Sequence, residues 1–210
     1  MVQTGRVAEV HRGCLLTHKT SVKKCYAARM SPQDVLDFWF KEAAGKWFLK
    51  DEQFDKTIRD RFLETYTRIR RREASGWSET PERRLAQIIV LDQFSRNMFR
   101  GEPHAFAHDQ LALKLAEDSV QSGDDKRLAP GHRQFIYMPY MHSESREVHK
   151  KAWWLFLWLA LSTWNWGSFL YELKHKKIID RFGRYPHRNE VLGRVSTPEE
   201  VEFLKTNTGF

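Results

Sequence analysis

Apolar residues recur at three- and four-residue intervals through almost the whole chain after Met30, the period of helices buried along one face. Ser31-Pro32-Gln33-Asp34 provides an N-cap, a proline in the first turn and an acid three residues on, and Val35, Leu36, Phe38, Trp39 and Phe40 follow. Gly45 ends this first helix. Asp51 caps a second, with Phe54, Ile58, Phe62, Tyr66 and Ile69 inward, and Gly76 closes it. Its outer face carries Arg68, Arg70, Arg71 and Arg72, a solvated charge run. Thr80-Pro81 opens a third helix through Leu85, Ile88, Ile89, Leu91, Phe94 and Phe99, broken at Gly101-Glu102-Pro103. A fourth runs from about His104 to Gln121, turns Phe106, Leu111, Leu115 and Val120 inward, and stops at Gly123. Pro130 begins a short fifth element with Phe135, Ile136 and Met138, interrupted by Pro139. Ile178, Ile179 and Phe182 bury a later helix that Gly183 caps, and Thr197-Pro198-Glu199-Glu200 is a capping box for the last. No alternating run flanked by turns predicts a strand. The fold class is all-α, built from helical hairpins.

One stretch stands apart. Ala152–Tyr171 is 20 residues without a formal charge and includes Trp153, Trp154, Trp158, Trp164 and Trp166. That length could span a bilayer. Ser162, Thr163, Asn165, Gly167 and Ser168 crowd its second half, however, and lysines flank both ends (Lys150, Lys151; Lys174, Lys176, Lys177). A buried helix and turn is the expected form, rather than a membrane segment.

The 210 residues suit one domain with a substantial core. The net charge of +8 suggests a polyanion partner until it is divided. Residues 1–29 carry Arg6, Arg12, Lys19, Lys23, Lys24 and Arg29 against Glu9 alone, which is +5. Only +3 is left for residues 30–210, so a nucleic-acid partner is not expected. Both cysteines, Cys14 and Cys25, lie in the leader, which removes disulfides, zinc–thiolate sites and cysteine nucleophiles from the domain. The basic, acid-poor leader reads either as an organellar presequence or as an extension upstream of a true start at Met30. Localisation follows: cytoplasmic, or organellar if the leader is a presequence.

Three polar clusters interrupt the apolar pattern. In the third helix Asp92 and Arg96 are four apart, an ion-pair spacing, and Gln93, Asn97 and Arg100 form a stripe beside them. Such a stripe is either a satisfied buried network or the wall of a ligand groove. The second cluster is His142-Ser143-Glu144, where Ser143 fits an N-cap and His142 or Glu144 could each act as one general base. No metal-ligand spacing accompanies it, so neither metal nor cofactor is expected. The third is Arg181–Asn189, with Arg181, Arg184, His187, Arg188 and Asn189 in a loop pinned by Pro186. Its guanidiniums either pair with carboxylates as a structural corner or clamp an anion in bidentate fashion.

Taken together these blocks resemble a widespread helical family carrying the name domain of unknown function 924. The resemblance rests on Val35–Phe40, Trp47-Phe48 with Phe54-Asp55, Leu91–Asn97, Ala105–Asp109, Met138-Pro139 with His142–Glu144, Arg181–Asn189 and Leu192–Glu200. It covers about Ser31 to Phe210 and implies a tetratricopeptide-like stack of antiparallel helices. It implies no activity. The leader lies outside the family pattern, and the Trp-rich stretch 153–168 departs from it, reading either as an insertion or as an error in the translated gene sequence, with the expectation that excising or replacing it would leave a foldable domain. The functional expectation is one groove where the clusters converge, binding an anionic small molecule or a carboxylate-bearing peptide end. Arg96, Arg100, Arg184 and Arg188 would hold the anion, Gln93, Asn97 and Asn189 would orient it, and Asp92 and Glu144 would fix the arginines. The alternatives are a hydrolase using His142 or His187 with Glu144 or Asp92, and a protein-interaction scaffold.

Overall fold

The computed structural model describes residues 30–207, and several of its helices start at a side-chain cap, at Ser31, Asp51, Thr80, Ser145 and Thr197. Ser31 and Asp34 form the reciprocal capping box: the Ser31 hydroxyl accepts from the Asp34 N–H at 3.2 Å, and Asp34 accepts from the Ser31 N–H at 2.7 Å. Helix α1 (Pro32–Asp37) follows and widens into a π-helical turn over Phe38–Glu42. Helix α2 (Glu52–Arg70) starts from Asp51, whose Oδ1 accepts from the Gln53 and Phe54 N–H groups. It stops at Arg70, short of the expected Gly76. Arg72 takes the left-handed conformation (φ 60°), its N–H donates to the Ile69 carbonyl, and the Glu73 N–H reaches back to Arg68. That bonding ends a helix as a glycine usually does. Here an arginine occupies the position, so the glycine misplaces the boundary.

Helix α3 (Pro81–Ile88), a π-helical segment over Ile89–Phe94 and helix α4 (Ser95–Met98) form one continuous rod. Every residue from 85 to 95 is buried, so the rod is the centre of the molecule rather than an amphipathic surface helix. Helices α1, α2, α5 (Asp109–Ser122) and α7 (Pro130–Met141) pack around it, with the short α6 (Asp124–Arg127) linking the last two. The packing is aromatic: Trp39 meets Phe94 and Phe135 edge-on at 5.4 and 5.7 Å, and Phe62 lies 4.6 Å from Phe94.

Two further expectations shift. Residues Pro103–Ala105 form a 3-10 turn and α5 begins only at Asp109. Its deepest face is Ala112, Leu113, Ala116 and Ser119, while Leu111, Leu115 and Val120 pack on the flank. Small residues let the helix axis approach the rod closely, and the larger ones fill the margins. Helix α7 is not interrupted at Pro139 but continues to Met141. Burial of Pro139, Tyr140 and Met141 offsets the missing N–H.

Helices α8 (Arg146–Thr163) and α9 (Gly167–Phe182) make a hairpin joined at Trp164–Trp166, and α8 lies on α7. The N-cap of α8 is Ser145, whose hydroxyl accepts from the Val148 N–H, and not Ser143. Only one face of α8 is buried, through Ala152, Phe156, Leu159 and Ala160. Trp158 is 65% exposed and Trp164 83% exposed. The stretch is therefore half buried, and its inner face supplies core side chains to the α7–α8 contact. Among the described residues no helix is long and apolar enough to cross a membrane, nor is there a strand. A 3-10 turn at Pro186–Arg188 and helix α10 (Pro198–Leu204) complete the chain. The leader and its two cysteines lie outside the described residues.

Phe156→Ala is expected to lower unfolding free energy by about 3–5 kcal/mol through cavity formation. Trp158→Ser, two residues along the same helix, should change it by less than about 0.5 kcal/mol. Urea denaturation of both variants checks the assignment, and equal losses would contradict it.

Candidate functional site

A cleft of about 1370 Å³ opens between the rod, α9 and the loop that follows α9. This exceeds the usual small-molecule pocket of roughly 300–1,000 Å³. The rod contributes Gln93, Arg96, Asn97 and Arg100, and His142 stands at the end of α7. Helix α9 contributes Lys174, His175, Lys177 and Arg181, and the loop adds Tyr185, His187 and Arg188. Met138, Met141, Phe156 and Ile178 make its apolar walls, while Phe48, Leu49 and Lys50 sit on its rim.

Asp92 lies behind this surface with no exposure at all. Its Oδ1 is 2.8 Å from His142 Nδ1 and 3.1 Å from Arg96 Nη1, and its Oδ2 accepts from the Gln93 amide at 2.6 Å. Burial alone would raise its pKa. The Arg96 charge and the His142 contact outweigh burial and hold the carboxyl below its ordinary value, so Asp92 is ionised. His142 moves the other way: burial, then the Arg96 charge, lower it against the pull of Asp92. A neutral imidazole whose Nδ1–H donates to Asp92 leaves its lone pair on Nε2.

Arg96 also reaches Asp109 on α5, and there it meets Arg188. Arg96 Nη2 and Arg188 Nη1 lie 3.0 and 3.3 Å from the same Asp109 Oδ2. Arg188 donates to the His142 carbonyl at 3.1 Å and sits over the rings of Phe106 and Tyr185 at 4.6 and 4.5 Å. Its Nε, and Asp109 Oδ1, are buried with no hydrogen-bond partner among the described residues. Burial, and next the Arg96 charge, lower the Arg188 pKa. Burial also takes His175 down to about 3 and His187 to about 4, so both imidazoles in the wall are neutral at pH 7.

A second carboxylate–histidine pair lies deeper. Glu172 Oε1 is 2.8 Å from His149 Nδ1, and His149 Nε2 is 2.9 Å from the Ser143 carbonyl and 3.2 Å from the Tyr185 hydroxyl. Burial raises the Glu172 pKa. Tyr185 donates its hydroxyl to the Met141 carbonyl, which fixes the ring that supports Arg188.

The structure divides the expected site residues into two groups. Gln93, Arg96, Asn97, Arg100, His142, His187 and Arg188 share the cleft. Arg184, Asn189 and Glu144 do not line it. Arg184 forms a two-point pair with Glu200 at 2.7 Å, and Asn189 donates to Ser196 and Glu200. Glu144 pairs with Arg194 at 2.6 Å and accepts from the Tyr185 N–H at 2.8 Å, so it holds the loop backbone rather than Arg184 or Arg188. The Arg181–Asn189 segment is thus part structural corner, through Arg184 and Asn189, and part cleft wall, through Arg181, Tyr185, His187 and Arg188. Asn97 and Arg100 converge on Asp55 of α2 at 2.7 and 2.6 Å. Asp55 and Asp109 were visible only as parts of the family-like blocks. Glu172 and His175 had a weaker signal: they fall on the inward stripe of α9 with Ile179 and Phe182. Among the described residues no three His, Cys, Asp or Glu side chains gather as a metal site requires.

The family model described as bacterial protein of unknown function (DUF924) matches residues 35–208. A solved structure, the protein of unknown function ATU0120 from Agrobacterium tumefaciens, is 38% identical, with 84% of this chain and 97% of that chain covered and a TM-score of 0.78. No curated protein matches.

The corner makes a pH prediction. The Arg184 hydrogen bond holds Glu200 at about 2, against an ordinary 4.5. A carboxyl depressed on folding contributes stability that is complete above its unfolded pKa and is lost as pH falls through the folded one. Glu200→Gln should therefore lower Tm at neutral pH, with the gap to the parent closing between pH 4.5 and 2. Thermal melts across that range check it, and a gap independent of pH would overturn it.

Proposed function

We propose that this chain, which belongs to the DUF924 family of bacterial proteins of unknown function, binds an anionic small molecule in the cleft. One observation carries the reading. Arg188 is nine-tenths buried, faces the cleft, and shares a single carboxylate oxygen with Arg96 while its Nε has no acceptor. A buried guanidinium left short of acceptors is a site of unmet hydrogen bonding that a carboxylate or phosphate would complete.

The surroundings support the same charge sign. Lys50, Arg100, Lys174, Lys177 and Arg181 line the approach, with Glu202 the carboxylate among the lining residues. These cations are gathered inside a cleft with apolar walls, which suits a small anion or a peptide carboxylate better than a nucleic-acid backbone. Arg96 and Arg188 hold the anion at the inner end, Gln93 and Asn97 orient it, and Arg100 lies nearer the rim. A tetratricopeptide-like stack is part of the same reading: consecutive helices α7, α8 and α9 pack on one another, and the cleft lies against the last of them.

Isothermal titration with inorganic phosphate, succinate and a dipeptide tests this. At least one of them should bind, Arg188→Ala should weaken that affinity tenfold or more (~1.4 kcal/mol), and Arg184→Ala, outside the cleft, should leave it within about twofold. Equal affinity in the parent and Arg188→Ala would refute it.

A further inference from the structure

We propose that the cleft is also catalytic: His142, held by Asp92, acts as a general base that activates water for the hydrolysis of carboxylic esters bearing an anionic group. This rests on the anion-binding reading and adds a reaction to it. Two buried histidine–carboxylate pairs in one molecule separate structure from chemistry. In His149–Glu172 both ring nitrogens are engaged, Nδ1 by Glu172 and Nε2 by the Ser143 carbonyl and Tyr185 hydroxyl, and neither residue is exposed. In His142–Asp92 only Nδ1 is engaged, at 2.8 and 3.0 Å from the two carboxylate oxygens. Nε2 of His142 has no hydrogen-bond partner among the described residues, and the ring lines the cleft. His149 has both ring nitrogens engaged, although Glu172 Oε2 is buried without a partner among the described residues; His142 keeps a basic nitrogen open on the ligand side.

The neighbours of His142 suit the chemistry. Asp92 and Arg96 face it from the rod, Asp109 from α5, His175 from α9, and Arg188 from the 3-10 turn. Asp92 fixes the tautomer and stays ionised, so it stabilises the imidazolium formed when Nε2 takes a proton. Arg96 shares Asp92 Oδ1 with the imidazole, so its charge stands on the Nδ1 side of the ring and holds the carboxylate that orients the base. No serine or threonine hydroxyl is hydrogen-bonded to His142 among the described residues, and Ser168 in the wall donates to Gln134 at 2.8 Å, so the attacking oxygen is assigned to water.

Nε2 removes a proton from water as the water oxygen bonds to the acyl carbon, and the carbonyl π pair moves onto oxygen. When that pair returns, the bond from acyl carbon to alkoxy oxygen breaks. The departing oxygen takes the proton from His142, which yields an alcohol and a carboxylic acid and restores the neutral base. Arg188 holds the substrate's anionic group, and Met138, Met141 and Phe156 take its apolar part.

The full-length protein with mono-4-nitrophenyl succinate and, as a neutral comparison, 4-nitrophenyl butyrate tests the proposal. The succinate ester should be hydrolysed with a kcat/KM at least tenfold above the butyrate ester. His142→Gln should lower kcat by a hundredfold or more, with its affinity for succinate within about threefold and its circular dichroism unchanged. The parent alone supplies a second readout, a rate that falls on the acid side through one ionisation, with imidazole added to His142→Ala restoring part of it. Succinate bound without hydrolysis above the His142→Gln level would overturn the reaction and leave the binding reading standing. No binding of succinate, phosphate or dipeptide by the parent would sink both.

Discussion

The fold is organised around a fully buried carboxylate at the centre of the rod. An unpartnered charge there would cost several kcal/mol, so Asp92 requires its neighbours to be what they are. Arg96 comes from the next turn, Gln93 from beside it, and His142 from the end of a helix fifty residues later. Arg96 is then held between Asp92 and Asp109, and Asp109 brings in Arg188. One buried charge thus ties the rod, α5, the end of α7 and the post-α9 loop into a single network, and the cleft is the surface that network presents.

The π-helical segment over Ile89–Phe94 matters to this arrangement because it spans Asp92 and Gln93. The rod is buried on all sides at this level, so two consecutive polar residues are both enclosed and each must find a partner within the protein. Local irregularity and buried chemistry coincide here, and the charge balance explains why the irregularity is tolerated. Gln93 spends its amide on Asp92, and Arg96 bonds both the Asp92 carboxylate and its backbone carbonyl.

Electrostatic accounting also separates the two halves of the arginine-rich loop. Arg184 meets Glu200 in two short contacts and also donates to the Val195 carbonyl. Arg188 shares one carboxylate oxygen with another guanidinium and keeps an unpartnered Nε. Identical side chains four residues apart therefore differ in what they can still bind. The comparison of His149 with His142 has the same form: saturation marks a structural group, and an open atom on the cleft marks a candidate for chemistry.

Periodicity and capping residues determined the all-helical class and most helix starts, because Ser31, Asp51, Thr80 and Thr197 act through bonds to their own next turn. The polar rows Asp92–Arg100 and His142–Glu144 were likewise legible as interruptions of apolar pattern. Helix ends were less so: Arg72 makes a turn that glycine usually makes, and Pro139 lies within a helix whose burial outweighs its missing N–H. Tertiary structure alone decided which arginine faces the cleft, that Asp55 and Asp109 complete the network, and that Trp158 is exposed while Phe156 is core. These outcomes depend on partners 13 to 79 residues away in the chain, as in Arg96 with Asp109 and Arg188 with Asp109, and no local pattern encodes such distances.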